Sequence, residues 1–280
     1  LDASRRLRDL YPDMALYGLI TGPFTLALHL MGTDIFMKLF EDPDEVHKLM
    51  KFATETGKMM AGKYIESGCD VIAMVDPMTS QIDPMSFEQF VSPYATELFD
   101  FIREEGALSS FFVCGNAQQN IEVMCKCKPD NVSIDENIPL DYVRDIALQH
   151  KVSFGGNMKL TVVLLLGSQE DCQREALECM DIGGKEGFIL APGCDLPMDT
   201  PVENLKAVTE IVHNENLQGE LRASAASVTE IEKLDLSNHW QKDKVIVDVV
   251  TLDSSSCAPC QYMVNAVERA AEPFGNKVQY

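Results

Sequence analysis

The chain has 280 residues, of which 46 % are hydrophobic and 24 % charged, enough for one large domain or a domain plus a smaller piece. Its 44 acidic and 23 basic residues give a formal net charge of −21, which disfavours binding to nucleic acid or to an anionic membrane surface. No apolar run approaches the roughly 18 residues that span a bilayer, and no secretory signal pattern is present. Nine cysteines without such a signal indicate reduced thiols, so the sequence predicts a cytoplasmic protein.

Short apolar runs alternate with longer amphipathic segments over the first 213 residues. The predicted strands are Leu16–Thr21, Asp70–Val75, Leu108–Val113, Asn131–Asp135, Val152–Gly155 and Gly187–Leu190. The predicted helices are Pro43–Ser67, Ser86–Glu105, Ala117–Cys127, Leu140–Gln149, Gln169–Ile182 and Pro201–Asn214. Strands separated by helices pair in parallel, so the pattern predicts an α/β fold.

Two of these helices are predicted to begin with a capping side chain followed by a proline. Asp42-Pro43 places a carboxylate before the first turn, and Thr200-Pro201 places a hydroxyl there. Such side chains accept hydrogen bonds from free N–H groups, and proline suits the first helical position.

Polar or glycine residues follow the predicted strands, where a (β/α)8 TIM-type barrel carries its chemistry. Six strands are found where a barrel needs eight, so we expect an N-terminally incomplete barrel over residues 1–214. The polar residues at these strand ends are candidates for substrate binding: Asp76, Asn116, Asp135 and Asn157. Helix capping by the aspartates and loop fixation by the asparagines are the alternative interpretations.

The pattern changes after residue 214. Residues 215–243 are polar and rich in alanine and serine, which indicates a linker. Residues 244–280 then begin with a β-branched run followed by Cys257-Ala-Pro-Cys260 and an amphipathic segment. A Cys-x-x-Cys that follows a strand and opens a helix is typical of thioredoxin-like domains. The helix N-terminus favours the Cys257 thiolate, and Cys260 can resolve a mixed disulfide, so we expect a partial redox module.

The strand ends of the first 214 residues resemble the uroporphyrinogen decarboxylase superfamily, from about Leu16 to Val212. Five elements occur in the order found in that superfamily: Gly22-Pro23-Phe24-Thr25-Leu26, Val75-Asp76-Pro77, Ile134-Asp135-Glu136, Gly155-Gly156-Asn157, and Leu190-Ala191-Pro192-Gly193-Cys194-Asp195. This resemblance implies the barrel fold and an enzymatic activity.

Within the superfamily, the chain most resembles the corrinoid-dependent (methylcobamide) methyltransferases. This branch holds zinc with a His-x-Cys-Gly strand end and a later Pro-Gly-Cys loop. Cys114 and Cys194 match the two cysteines, whereas Phe112 stands at the histidine position. The resemblance therefore implies Zn²⁺ at Cys114 and Cys194, a methylcorrinoid delivered by a partner protein, and a small-molecule methyl acceptor such as a thiol.

Other interpretations remain open. Asp135, Glu136 or Asp195 is a candidate for the missing ligand, and the two cysteines are alternatively small core residues. The chain is alternatively a uroporphyrinogen decarboxylase of porphyrin biosynthesis, whose reacting aspartate lies before the glycine–proline–aromatic element. It is alternatively a non-catalytic corrinoid- or tetrapyrrole-binding protein, in which Phe112 marks the loss of zinc chemistry.

Overall fold

The structure is a computed structural model that describes residues 1–225, 244–249 and 258–279. It divides into two compact units between Gln218 and Gly219. The first unit contains a six-stranded parallel sheet in the order β1 to β6. Its strands are β1 (Tyr17–Thr21), β2 (Val71–Val75), β3 (Leu108–Val113), β4 (Asn131–Ile134), β5 (Ser153–Met158) and β6 (Phe188–Pro192).

Helices precede and connect these strands. They are α1 (Asp2–Leu10), α2 (Pro23–Met31), α3 (Ile35–Glu41), α4 (Pro43–Glu66), α5 (Pro84–Phe90), α6 (Ser92–Glu104), α7 (Ile121–Lys126), α8 (Leu140–Gln149), α9 (Gln169–Gly183), α10 (Val202–His213) and α11 (Glu215–Ala225). A π-helical segment, Leu160–Leu165, lies between β5 and α9. The predicted α/β fold and all six predicted strands are therefore confirmed.

Two predicted helices differ from the structure. The predicted helix Ala117–Cys127 is a 3-10 turn, Gln118–Asn120, followed by α7. The segment predicted as a single helix, Ser86–Glu105, forms two helices, α5 and α6, which meet at Val91. Pro93 lies in the first turn of α6. Because proline lacks an N–H and clashes with the preceding turn, a continuous helix through this position is disfavoured. The aromatic stripe nevertheless faces the core, with Phe87 and Phe90 both buried.

The two predicted helix caps differ in outcome. The Asp42 side chain accepts a hydrogen bond from the Glu45 N–H, which confirms the first cap. The second prediction is wrong, because α10 begins at Val202, one residue later than expected. The hydroxyl of Thr200 is buried and has no hydrogen-bond partner among the described residues.

The helix-facing side of the sheet forms the core. The largest fully buried side chains include Phe24, Phe87, Phe99, Phe111 and Phe154. The rings of Phe87 and Phe99 both pack on Phe111, with centroids 6.0 and 5.6 Å apart. On the opposite side of β1, Tyr17 and Leu19 are 50 and 55 % exposed. This side of β1 is therefore exposed, whereas Ala73 and Ser110 on the same face of the neighbouring strands are buried.

The second unit is small. Its strands β7 (Val245–Ile246) and β8 (Val278–Gln279) pair in parallel, and α12 (Ala258–Ala271) lies between them in the chain. Apolar side chains, among them Val267 and Phe274, surround a cavity of about 370 Å³. The helix begins directly after Cys257, as the sequence predicts.

Residues 215–225, with which the linker was predicted to begin, form α11. The remainder of that predicted linker, residues 226–243, lies outside the described residues. Among the helices of the described ranges, none combines the length and the apolar character needed to cross a bilayer.

Candidate active site

A cavity of about 380 Å³ opens at the carboxyl ends of the parallel strands. Its walls come from β1, β2, β3, β4 and the segment at the end of β6. The lining residues are Tyr17, Leu19, Ala73, Val75, Pro77, Ser110, Phe112, Cys114, Ser133, Pro192, Cys194 and Asp195. The alternation of a β-strand explains this set, because every second side chain of β3 points into the cavity.

The sulfurs of Cys114 and Cys194 lie 2.8 Å apart at this cavity, although the residues are 80 positions apart in sequence. Both side chains are partly exposed, and the other five cysteines of the described residues are buried. Cys114 is the first residue after β3, and Cys194 is the second residue after β6. Parallel strands bring their carboxyl ends to one rim, which is how the fold joins these two distant thiols.

Asp135 holds the backbone next to Cys114. One carboxylate oxygen accepts a hydrogen bond from the Gly115 N–H at 2.9 Å, and the other accepts from the Asn137 N–H at 2.9 Å. Gly115 has a φ of +80°, a conformation that favours glycine. Asp135 is only 8 % exposed. Its observed contacts therefore fix the turn that carries Cys114.

Glycine next to Cys194 permits a close approach of two loops. A Cβ atom at Gly193 would lie 2.6 Å from the Glu136 backbone nitrogen, so only glycine fits there without a shift. The Glu136 carboxylate accepts a hydrogen bond from the Leu160 N–H. The loop after β4 thus contacts both cysteine-bearing segments.

Asn157 and Asn116 occupy different environments. The Asn157 amide is buried and donates to the backbone oxygens of Asp135 (3.2 Å) and Ile138 (2.7 Å). It therefore fixes the same loop after β4. Asn116, in contrast, is exposed on the turn that follows Cys114.

Asp76 is fully buried at the end of β2 and caps α2 from outside that helix. Its carboxylate accepts hydrogen bonds from the N–H groups of Phe24 (3.1 Å) and Thr25 (2.7 Å) and from the Thr25 hydroxyl (2.6 Å). A Cβ at Gly22 would overlap this carboxylate, which explains the glycine of the glycine–proline element. Burial raises the pKa of Asp76 to about 6, although these hydrogen bonds oppose the rise.

Sequence reasoning did not identify the polar side of the cavity. Ser110 and Ser133 line it, and both hydroxyls donate to the Asn131 side-chain oxygen, at 2.9 and 3.0 Å. Asn131 in turn donates to the Ser153 hydroxyl. Ser110 and Cys114 lie four residues apart on β3, so strand alternation from Cys114 was the available signal.

Burial is the main cause that raises the pKa of the Cys114 thiol above its usual range. The hydrogen bond with Cys194 and the carboxylates of Asp135 and Asp195 raise it further. A thiol in this environment stays protonated at neutral pH. A positive charge close to the sulfur would favour the thiolate, and without one only a small fraction of the thiol is ionised.

Zinc fits this site only in part. Two thiolates bound to one tetrahedral Zn²⁺ through 2.3 Å bonds stand about 3.8 Å apart, so the observed pair would have to open by about 1 Å. Within residues 1–225, 244–249 and 258–279, no three histidine, cysteine, aspartate or glutamate side chains form a group that could hold a metal ion. Phe112 lines the cavity where the resemblance places a histidine. The three-ligand site is therefore not present among these residues.

The predicted redox pair is not described. Cys257 lies outside the described residues, and for Cys260 only the backbone, in the first turn of α12, is described. The thioredoxin-like assignment stays a prediction.

Residues 1–215 match the family model described as uroporphyrinogen decarboxylase (URO-D). The chain belongs to the uroporphyrinogen decarboxylase family. It is 27 % identical over 217 residues to the methylcobamide:CoM methyltransferase MtbA of Methanosarcina acetivorans, which covers 76 % of this chain and 62 % of that protein. It is 30 % identical over 221 residues to a uroporphyrinogen decarboxylase of Anaeromyxobacter, with the same coverage of both chains.

A solved structure of a relative has a similar fold. The structure of a methyltransferase from Methanosarcina mazei superposes with a TM-score of 0.69 at 28 % identity, and covers 75 % of this chain and 62 % of that one. The family and the α/β fold are therefore established. The chain spans about 62 % of the length of these relatives, and the family contains both methyltransferases and decarboxylases.

Proposed function

We propose that the chain is part of a methyltransferase that moves a methyl group from a corrinoid protein to a small-molecule thiol. The observation that supports this most is the contact between the Cys114 and Cys194 sulfurs at the rim of the cavity. Soft sulfur ligands that border a cavity of about 380 Å³ suit chemistry on a small-molecule thiol.

In the proposed reaction, the thiolate of the acceptor attacks the methyl carbon. The new sulfur–carbon bond forms while the carbon–cobalt bond breaks, and the electron pair of that bond stays on cobalt. The thiol proton leaves to solvent before the attack. The residues of this chain would contribute the apolar wall of Phe112 and Leu19 and the polar serines, which shape the cavity around the acceptor.

Cys114 and Cys194 are also the residues that would hold zinc. When bound there, zinc would lower the pKa of a thiol that joins it. Asp135 serves this proposal as a positioning residue, because its carboxylate holds the Gly115 N–H and thereby fixes Cys114. A reducing cytoplasmic compartment completes the proposal, since free thiols require it.

The test combines a transfer assay with a metal measurement. Methylcobalamin serves as the methyl donor and coenzyme M as the acceptor, and the cobalt spectrum reports transfer. We expect Cys114→Ser and Cys194→Ser each to abolish transfer, and to remove whatever zinc the wild type binds. Cys172→Ser, at a buried cysteine, is the matched control and should retain both.

The alternative activity is porphyrinogen decarboxylation, favoured by the 30 % identity to the Anaeromyxobacter enzyme. Carboxylate loss from uroporphyrinogen, followed by chromatography, measures it directly. Decarboxylation that persists in both cysteine variants, without thiol methylation, would replace the proposal with this alternative. Absence of both activities together with tetrapyrrole binding would favour the non-catalytic interpretation.

A further inference from the structure

The Cys114–Cys194 pair has the properties of a dithiol rather than of a complete metal site. The two sulfurs are 2.8 Å apart, and no third metal ligand joins them among the described residues. A disulfide bond is about 2.05 Å long, so the two sulfurs need to approach by only about 0.8 Å to form one. The opposite movement, of about 1 Å, is needed to accommodate zinc between them.

Both thiols are held in place from the same loop. Asp135 binds the Gly115 N–H, and the Glu136 backbone packs directly on Gly193. The cysteines are therefore kept together without a bond between them. Two thiols ordered in this way react with each other far more readily than with a second molecule. The entropy needed to bring them together has already been lost on folding.

Accessibility distinguishes this pair from the other described cysteines. Cys114 and Cys194 are partly exposed and border the cavity, whereas Cys69, Cys125, Cys127, Cys172 and Cys179 are buried. A small disulfide reagent that enters the cavity meets these two sulfurs and no other described one. Burial raises the pKa of the Cys125 and Cys179 thiols as it does that of Cys114, so accessibility and the short sulfur–sulfur distance, not acidity, set the pair apart.

We propose that Cys114 and Cys194 form a reversible disulfide by exchange with low-molecular-weight disulfides. The thiolate of one cysteine attacks a sulfur of the reagent, forms a mixed disulfide and expels one reagent thiolate. The second cysteine, as thiolate, then attacks the protein sulfur of that mixed disulfide and expels the other reagent thiolate. The two protons lost by the cysteines yield two reagent thiols, so the protein is oxidised by two electrons and the reagent is reduced by two.

The disulfide would remove both thiolates from the cavity and thus switch the site off until a thiol reduces it. This consequence rests on the proposed function, whereas formation of the disulfide does not. The disulfide would also join the ends of β3 and β6 across the mouth of the cavity, so we expect the oxidised protein to melt at a higher temperature than the reduced one.

Peptide mapping tests the proposal directly. A Cys257→Ser/Cys260→Ser background leaves seven of the nine cysteines and removes the second dithiol. The protein is incubated with oxidised glutathione, its free thiols are alkylated after denaturation, and it is cleaved with trypsin. We expect five alkylated cysteines instead of seven and one linked pair of peptides, 104–126 with 186–206. Fragmentation then distinguishes Cys114 from Cys125, and dithiothreitol restores seven alkylated thiols.

Single variants complete the test. In Cys114→Ser, Cys194 should carry glutathione instead of a protein link, and Cys172→Ala should leave the link intact. Circular dichroism melts verify that each variant is folded. Separate glutathione adducts on Cys114 and Cys194, or both thiols free in oxidised glutathione, would overturn the proposal whatever the transfer assay shows. A link without methyl transfer would overturn the proposed function alone.

Discussion

The buried carboxylate of Asp76 allows a quantitative test of the contact between the end of β2 and the start of α2. It has no exposed surface, and it accepts three hydrogen bonds from Phe24 and Thr25 at the start of α2. Burial raises its pKa from 3.8 to about 6. Asp76→Asn keeps the size and one acceptor oxygen of the side chain but removes its titration.

The sign of the effect follows from proton linkage. Because the folded-state pKa of Asp76 is higher than the unfolded-state value, the folded protein binds the proton more tightly. The group therefore contributes stability at low pH, and this contribution is lost as pH rises from the unfolded to the folded pKa. The difference between 3.8 and about 6, at 1.36 kcal/mol per pH unit, gives about 3 kcal/mol.

Urea unfolding of the wild type and Asp76→Asn between about pH 4 and about pH 7 measures this difference. We expect the wild type to lose about 2 kcal/mol of unfolding free energy relative to the variant over this interval, since the remainder of the effect falls below pH 4. Asp83→Asn is the matched control, since Asp83 also caps a helix but has a lowered pKa, through its hydrogen bond from Ser86. Because its lowered pKa places the titration of Asp83 below about pH 4, that variant should differ from the wild type by a nearly constant amount over this interval. Parallel curves for the wild type and Asp76→Asn would refute the reasoning.

Two further predictions concern the loop after β4. Asp135→Ala should lower the unfolding free energy by about 1–2 kcal/mol, because it leaves the partly buried Gly115 N–H without its acceptor, and urea unfolding checks this. The same variant should form the Cys114–Cys194 link more slowly, as peptide mapping would show. Gly193→Ala should cost about 1–3 kcal/mol, since its Cβ would lie 2.6 Å from the Glu136 nitrogen. Gly219→Ala, in the open space around α11, should instead leave stability unchanged or raise it by up to about 1 kcal/mol; an equal loss in both would contradict the packing argument.

The sheet could be predicted because its strands are buried on their helix-facing side and bounded by polar residues. Leu108–Val113 was predicted to the residue, and the other five strands differ by a few positions at their ends. These ends depend on hydrogen bonds to neighbouring strands, which a single sequence does not display. Tertiary partners, rather than local propensity, decide where such strands begin and stop.

The errors at helices have a local and a tertiary cause. Pro93 was visible in the sequence, and the break before it follows from proline chemistry alone. Thr200 was different, because a hydroxyl before a proline is a good capping pattern. Its hydroxyl has no partner in the described part of the chain, and α10 starts after Pro201. For Asp76, substrate binding stays a prediction; its observed contacts are with α2, at residues 51 and 52 positions earlier in the sequence, which agrees with the alternative interpretation of helix capping.

The convergence of Cys114 and Cys194 followed from topology, whereas the composition of their surroundings did not. Parallel strands must end at one rim, so residues after β3 and β6 were expected to approach each other. Whether the two thiols bind a metal or contact only each other depends on the residue at the position of the third ligand. Here that residue is Phe112, which provides no ligand. An aromatic ring at that position leaves the two sulfurs 2.8 Å apart and partly accessible, so they can bond to each other when no cation is bound to them. Replacing Phe112 with histidine would therefore be expected to favour metal binding and to suppress the disulfide, and zinc titration of Phe112→His followed by the same peptide map would decide it. An unchanged yield of the link in the presence of zinc would show that the third ligand does not control the chemistry of the pair.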